Sequence, residues 1–267
     1  GMGGLGCVEA ARQLCFDRRV AIKRVREDKN GSFPQEFLKK EAQLMGKLEH
    51  PGIPPVHLVG VDNKDQIVLV MKFIQGNSWL DILKRDYKKI NSKVKLPQWY
   101  IDKHLNYFLR IGEALEFAHQ KGIIHRDIKP DNVVIGDYGE VYLIDWGIAC
   151  ELNEEKVFRS HSYAGTPCYA APEMIGDSPC WDIRSDVYLM GATLFQIISG
   201  EPPHLGKESA EVFKKIIQEP SPQIRENFSA SLRSICNCAM SKEADDRYSS
   251  VHAMLEDIRY FLTQGEL

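Results

Sequence analysis

Eight consecutive positions, His125-Arg126-Asp127-Ile128-Lys129-Pro130-Asp131-Asn132, set a carboxylate, two fixed cations and a side-chain amide between two apolar runs. Such a density of polar groups rarely sits inside a core. Arg126 and Lys129 keep Asp127 ionised near neutral pH, which makes it a candidate base. Asn132 offers a carbonyl oxygen suited to a hard cation such as Mg²⁺, and Lys129 can neutralise an anionic substrate. Pro130-Asp131-Asn132 is equally ordinary turn chemistry, so these residues alone do not separate a reactive site from a solvated turn.

Other segments carry further signals. The chain opens Gly1-Met2-Gly3-Gly4-Leu5-Gly6-Cys7-Val8, a G-x-G-x-x-G-x-V pattern running into a strand over 8–13. Glycines let backbone N–H groups approach an anion closely, although a glycine-rich opening is just as often a flexible terminus. Arg19 to Val25 alternates apolar and charged residues as a half-buried strand and presents Lys23 near its centre. A helix follows from about Pro34 to Leu48, with Phe37, Leu38, Leu44, Met45 and Leu48 at helical spacing and Glu41 18 residues after Lys23. Read alone, Glu41 is an exposed carboxylate beside Lys39 and Lys40; read with Lys23, it is an ion-pair partner.

Two strands, 56–61 and 66–71, flank an Asp62-Asn63-Lys64-Asp65 turn. The cation-rich run from Lys84 to Lys95 reads as a solvated face or loop. A core helix from Gln98 to Lys121, stopped by Gly122, delivers the chain into His125. Beyond Asn132, strands 133–135 and 141–144 form a hairpin that ends in Asp145-Trp146-Gly147, with Asp145 18 residues past Asp127. A carboxylate at the end of a buried strand, followed by glycine, is well placed to hold Mg²⁺. Helices are expected over about 209–218, 229–240 and 249–263.

Composition excludes several classes. A net charge of -3 with interspersed signs gives no basic footprint for nucleic acid or an anionic membrane. The longest helix-like apolar run, Val187 to Ile198, is about 12 residues against the roughly 20 that span a bilayer, so it reads as a buried core helix. The 7 cysteines are scattered without a disulfide framework or a C-x-x-C pair, which fits a reducing cytoplasm. No secretory signal opens the chain.

The segment from His125 to Asn132 fills every fixed position of H-R-D-x-K-x-x-N and resembles the catalytic loop of eukaryotic-type (Hanks-type) protein kinases. In the same order, the glycine pattern, Val20-Ala21-Ile22-Lys23, Glu41, Asp145-Trp146-Gly147, Gly165-Thr166-Pro167-Cys168-Tyr169-Ala170-Ala171-Pro172-Glu173 and Arg184-Ser185-Asp186 resemble the family's other parts. Lys129 together with Gly165-Thr166-Pro167 is similar to the serine/threonine branch. Lys23 to Asp28, Asp145-Trp146-Gly147 and Tyr248-Ser249-Ser250-Val251 resemble the bacterial PknD-type kinases.

The resemblance implies an α+β, two-lobed fold: residues 1–73 as a small antiparallel sheet with one helix, and 74–267 as a larger, mainly helical lobe. The family's strand ahead of the glycine loop has no counterpart here. The implied activity is transfer of the γ-phosphoryl group of ATP to protein serine or threonine, with Asp127 as base and Lys129 on the transferring group. Asn132 and Asp145 would hold Mg²⁺. Gly1, Gly3, Gly6, Val8, Ala21, Met71 and Val134 would contact the nucleotide, as would backbone near Lys72 and Ile74. Lys23, paired with Glu41, would fix the phosphates. Arg126 would receive a phosphate on the 148–164 segment, Asp186 would tether the catalytic loop, and Arg247 would pair with Glu173.

Trp146 stands where the family keeps Phe; it must pack under the helix carrying Glu41, near Met45, and find a partner for its N–H. Protein substrates and ATP are the implied partners, and a homodimer stays open. A nucleotide-binding scaffold without catalysis is the alternative, opposed by the presence of Lys23, Asp127, Asn132 and Asp145. A small-molecule kinase is opposed by the Gly165–Glu173 segment, which serves peptide substrates.

Overall fold

The structure, a computed structural model, describes residues 6–25, 35–90, 96–160, 162–176, 179–226 and 228–264. The N-terminal part is a four-stranded antiparallel sheet in the order β1-β2-β4-β3, from β1 Gly6–Gln13, β2 Arg18–Val25, β3 Val56–Val61 and β4 Ile67–Lys72. Its register pairs Val8 with Lys23 and Ala21 with Met71. Helix α1, Gln35–Gly46, packs on this sheet through Leu38, Ala42, Leu44 and Met45. Phe37, expected on the apolar face, is instead 59% exposed. It lies in the first turn of α1, whereas Leu44, seven residues on and on the same side of the helix, is buried.

Beyond Lys72 the chain forms β5 Gly76–Ser78 and helix α2 Trp79–Lys88. Neither follows from the cationic run that begins at Lys84. The helix forms because Ser78 caps it, accepting the Asp81 N–H at 3.1 Å, and because Trp79, Ile82 and Leu83 bury one face. Lys84, Arg85 and Lys88 lie outward, as a solvated face requires. Helix α3 Gln98–Gln120 follows and ends at Gly122, whose φ of 72° is the left-handed conformation that favours glycine.

Strands β6 Ile123–Ile124, β7 Val133–Gly136 and β8 Val141–Leu143 enclose the catalytic-loop motif, with β7 and β8 forming the expected hairpin. Short strands β9 Cys150–Glu151, β10 Phe158–Arg159 and β11 Cys180–Trp181 follow; β9 pairs with β6 and β10 with β11.

Helix α4, Ile183–Ser199, is buried at every residue from Ser185 to Ile198. It is a helix buried on all sides, as the Val187–Ile198 run predicts. It is capped by Asp182, which accepts the Arg184 N–H, and closed by Gly200 at φ 86°. Against it pack α6 Ala230–Ala239 and α7 Val251–Gln264, while α5 Ser209–Gln218 packs through Val212 and Ile216 on Ala170. At Gly191 a methyl group would lie 2.8 Å from the Ala239 Cβ, so only glycine lets α4 and α6 approach this closely.

A small antiparallel sheet lobe with one helix thus sits beside a larger helical lobe, and Lys23 of the sheet meets Asp145 of the larger lobe. No helix of the described residues is long and apolar enough to cross a membrane.

Candidate active site

Helix α4 fixes the catalytic loop. The Asp186 carboxylate, wholly buried, accepts the His125 N–H at 2.8 Å and the Arg126 N–H at 2.9 Å, and its Oδ2 also meets His119 Nε2 at 2.8 Å. Burial pushes its pKa up, but these donors outweigh burial and hold it below the ordinary aspartate value. With both N–H groups tied to one carboxylate, the chain turns through Arg126 in the left-handed region, φ 73°.

His125 is locked as a neutral ring. Its Nδ1 accepts the Asp127 N–H at 3.2 Å, its Nε2 lies 3.2 Å from the Ile144 carbonyl oxygen, and burial lowers its pKa.

Three donors converge on Asp127. Lys129 Nζ reaches Oδ2 at 2.7 Å, Asn132 Nδ2 reaches Oδ2 at 2.8 Å and the backbone oxygen at 2.7 Å, and the Thr166 hydroxyl donates to Oδ1 at 2.6 Å. Lys129 Nζ donates to the same Thr166 hydroxyl. The carboxylate is therefore aimed by a lysine, an amide and a hydroxyl. Thr166 enters this group without having been singled out in the sequence; its place within Gly165-Thr166-Pro167 was the only signal.

The second half of the site belongs to both lobes. Lys23 on β2 donates to Glu41 Oε1 of α1 at 2.6 Å and to Asp145 Oδ1 at 3.0 Å. Burial drives Lys23 down and Glu41 up, toward neutrality. Two carboxylates on one ammonium reverse this for Lys23, which is held above its ordinary value, while burial of Glu41 prevails over Lys23 and leaves its carboxyl raised. The same burial opposes charge on Asp145, and the neighbouring Lys23 more than offsets it, keeping that carboxyl below the usual aspartate value.

A methyl group on Gly147 would fall within 3.5 Å of Asp145 Oδ1, Glu41 Oε2 and Lys23 Nζ, so the glycine leaves room for the ion cluster. Asp145 itself takes φ 61° and remains 44% exposed at its side chain. The Ile144 N–H donates to the Asn132 carbonyl at 2.8 Å, which ties the Asp145 turn to the catalytic loop.

Trp146 shares the core with Met45 and is fully buried. It meets His125 edge to face at 4.6 Å, and its indole N–H finds the Leu143 carbonyl oxygen at 3.1 Å.

The remaining expected nucleotide positions distribute unevenly. Gly1 and Gly3 lie outside the described residues. At Gly6 a methyl group would lie 2.5 Å from the Arg24 carbonyl oxygen, so the hairpin itself requires the glycine. Val8 pairs with Lys23, and Ala21 with Met71, on adjoining strands; Val134 pairs with Tyr142 in the large lobe. Lys72, expected to offer backbone to the nucleotide, is the last residue of β4, and its N–H is committed to the Pro55 carbonyl at 3.1 Å. Its ammonium donates to the Tyr142 hydroxyl at 2.6 Å. Ile74 lies just beyond the strand and is half-buried.

Arg126, expected to receive a phosphate, is covered. Its guanidinium is not open to solvent: the residue is 6% exposed and its side chain lies over Trp181. Glu173 and Arg247 pair as expected, bidentately at 2.8 and 2.7 Å, with the Ser185 hydroxyl donating to Glu173 at 2.8 Å.

Among the described residues no group of three or more His, Cys, Asp or Glu could hold a metal ion. Asp145 and Asn132 offer hard oxygen donors of the kind that share Mg²⁺ with substrate phosphates rather than caging it, so the pair fits that ion.

Residues 1–258 match the family described as protein kinase domain. The chain is 31% identical to the serine/threonine-protein kinase PknD of Chlamydia pneumoniae over 98% of its own length and 30% of that protein's. It is 30% identical to PknD of Protochlamydia amoebophila, over 98% and 29%, and 32% identical to a probable serine/threonine-protein kinase of Corynebacterium efficiens, over 97% and 39%. It thus spans about a third of the length of these relatives. With Asp127 held by Lys129, Asn132 and Thr166, and Lys23 shared by Glu41 and Asp145, the chain belongs to the protein kinase family.

Proposed function

We propose that this chain transfers the γ-phosphoryl group of ATP, with Mg²⁺, to serine or threonine hydroxyls of proteins, itself included. The observation that carries the reading is the convergence of Lys129, Asn132 and Thr166 on Asp127. An ionised carboxylate held in one orientation accepts the substrate hydroxyl proton as the oxygen attacks the γ-phosphorus. The bond from that phosphorus to the β-phosphate oxygen breaks, and ADP leaves with the electron pair.

Lys129 lies beside Asp127 where it neutralises charge on the transferred group, and Lys23 holds the α- and β-phosphates while Glu41 keeps it in place. Asn132 and Asp145 would hold Mg²⁺, which neutralises phosphate charge when bound. Gly6, Val8, Ala21, Met71 and Val134 form the nucleotide's apolar surroundings, with Gly1 and Gly3 ahead of them in the chain. Because the Lys72 N–H is taken by Pro55, the adenine contacts fall to the Lys72 carbonyl and the Ile74 backbone. Seven free thiols fit a reducing cytoplasm.

The test is phosphoryl transfer from Mg²⁺–ATP to a generic protein substrate, with phosphosites mapped by mass spectrometry, beside Asp127→Asn. The variant should bind ATP and fold normally while turnover disappears. Phosphorylation retained in it would remove Asp127 as the base.

A further inference from the structure

Arg126 is gripped at both ends by one short stretch of chain. Its backbone N–H is held by Asp186 of α4 at 2.9 Å. Its guanidinium carbon lies 3.7 Å from the ring centre of Trp181, the residue immediately before the α4 cap Asp182, and 5.0 Å from that of Phe158. Those two rings stack on each other at 5.4 Å and 9°. The backbone beneath them is a ladder: Phe158 pairs with Trp181 and Arg159 with Cys180, and the Ser160 N–H donates to Pro179 at 3.1 Å.

Trp181 is fully buried, and Arg126 donates Nη1 to the Ile148 carbonyl at 2.9 Å. The Arg126 Nε and Trp181 Nε1 donors are both buried without an acceptor, so besides the Ile148 carbonyl and the Cys150 thiol the cation is met by π faces. Lys40 of α1 lies 6.0 Å over Phe158, which extends the same aromatic pair to the helix that carries Glu41.

A phosphate seeking Arg126 would have to displace the buried indole. We propose that Trp181 and Phe158 form an aromatic cap that seats Arg126 in place of a phosphate, so that residues 148–160 are set, and Asp127 positioned, without phosphorylation. The proposal rests on the kinase reading above. Trp181 is in this sense a positioning residue: it acts on Asp127 through Arg126, the preceding residue of the catalytic loop.

The test compares the whole chain after phosphatase treatment and after incubation with Mg²⁺–ATP, by kcat on a generic protein substrate and by hydrogen exchange of 157–160 and 179–181. The wild type should show kcat within about twofold in the two states and slow exchange in both segments even when phosphatase-treated. Trp181→Ala should lose about tenfold or more in kcat in the phosphatase-treated state and should exchange rapidly in those two segments alone. Trp181→Phe, which keeps a π face, should recover most of both.

The proposal is overturned if phosphatase treatment of the wild type lowers kcat by about tenfold and opens the two segments, or if Trp181→Ala matches the wild type in both. Should Trp181→Ala not fold, the wild-type comparison and Phe158→Ala decide in the same way. If the wild type phosphorylates nothing in either state, the kinase reading fails, while the exchange data still show whether the cap holds the segment.

Discussion

The indole N–H of Trp146 donates to the carbonyl oxygen of Leu143 at 3.1 Å, a bond that spans the Asp145 turn and that phenylalanine cannot make. Trp146→Phe should therefore cost stability, about 1 to 3 kcal/mol from the lost bond and the smaller ring in a filled core. A lower urea midpoint at unchanged m-value would register it. Asp145, freed at its φ of 61°, should show a higher KM for Mg²⁺–ATP.

Lys23 has two carboxylate partners, whereas Glu41 has one ammonium. Removing the lysine strands a buried carboxylate; removing Glu41 leaves Lys23 still paired with Asp145. Lys23→Met should thus destabilise by about 3 kcal/mol, and Glu41→Gln by clearly less. Because stranded Glu41 escapes its penalty by taking up a proton, the lysine variant's deficit should grow from pH 5 to pH 8, as read by urea unfolding.

Thr166 bridges Lys129 and Asp127 through one hydroxyl. Thr166→Ala should lower kcat by about ten- to a hundredfold, the loss of one hydrogen bond to a charged group, with ATP affinity little changed. Thr166→Ser, which keeps the hydroxyl, should retain most of the rate. Equal loss in both variants would count against the bridge.

His104 and His204 are buried, and burial holds each down to about 4 from 6.5; Asp86 partly opposes this at His104, and Lys242 adds to it at His204. A depressed folded value means the unfolded chain takes the proton first. Stability from these groups is complete above about pH 6.5 and is lost as pH falls toward about 4, on the order of 3 kcal/mol for each. His125, lowered by burial, acts with the same sign. Asp86 and Asp186, held below 3.8, act only under that window. Urea unfolding across pH 7 to 4 should show the decline, and His204→Gln should flatten it.

Most of the site's geometry was legible because it is written locally. Asp127, Lys129 and Asn132 lie within one turn of chain, and Asp186, Glu173 and Arg247 were recognisable from their own short motifs. The Lys23–Glu41 pair needed only a strand, a helix and their spacing. Helix α2 was hidden because its outward cations mask the buried face of Trp79, Ile82 and Leu83; the Ser78–Asp81 cap was the readable sign. Buried Asp86 on that helix is matched by Lys103 of α3 at 2.6 Å, a partner that no local pattern names. Phe37 misled because helical spacing gives a stripe and not which neighbour covers it. The cover over Arg126 was hidden because Trp181 comes from a distant strand, and the partner of the Lys72 N–H was hidden because Pro55 lies outside its own strand.

Asp186 makes the catalytic loop part of the large lobe's interior, whereas Lys23 reaches the site from the sheet and meets it at Asp145. A tilt of the sheet that parts Lys23 from Asp145 leaves Asp127, Lys129 and Thr166 in register. On the proposed kinase activity, neither substrate then needs the other in order to bind. The consequence is kinetic: binding should be random in order, with a dead-end peptide analogue noncompetitive, and not uncompetitive, against ATP.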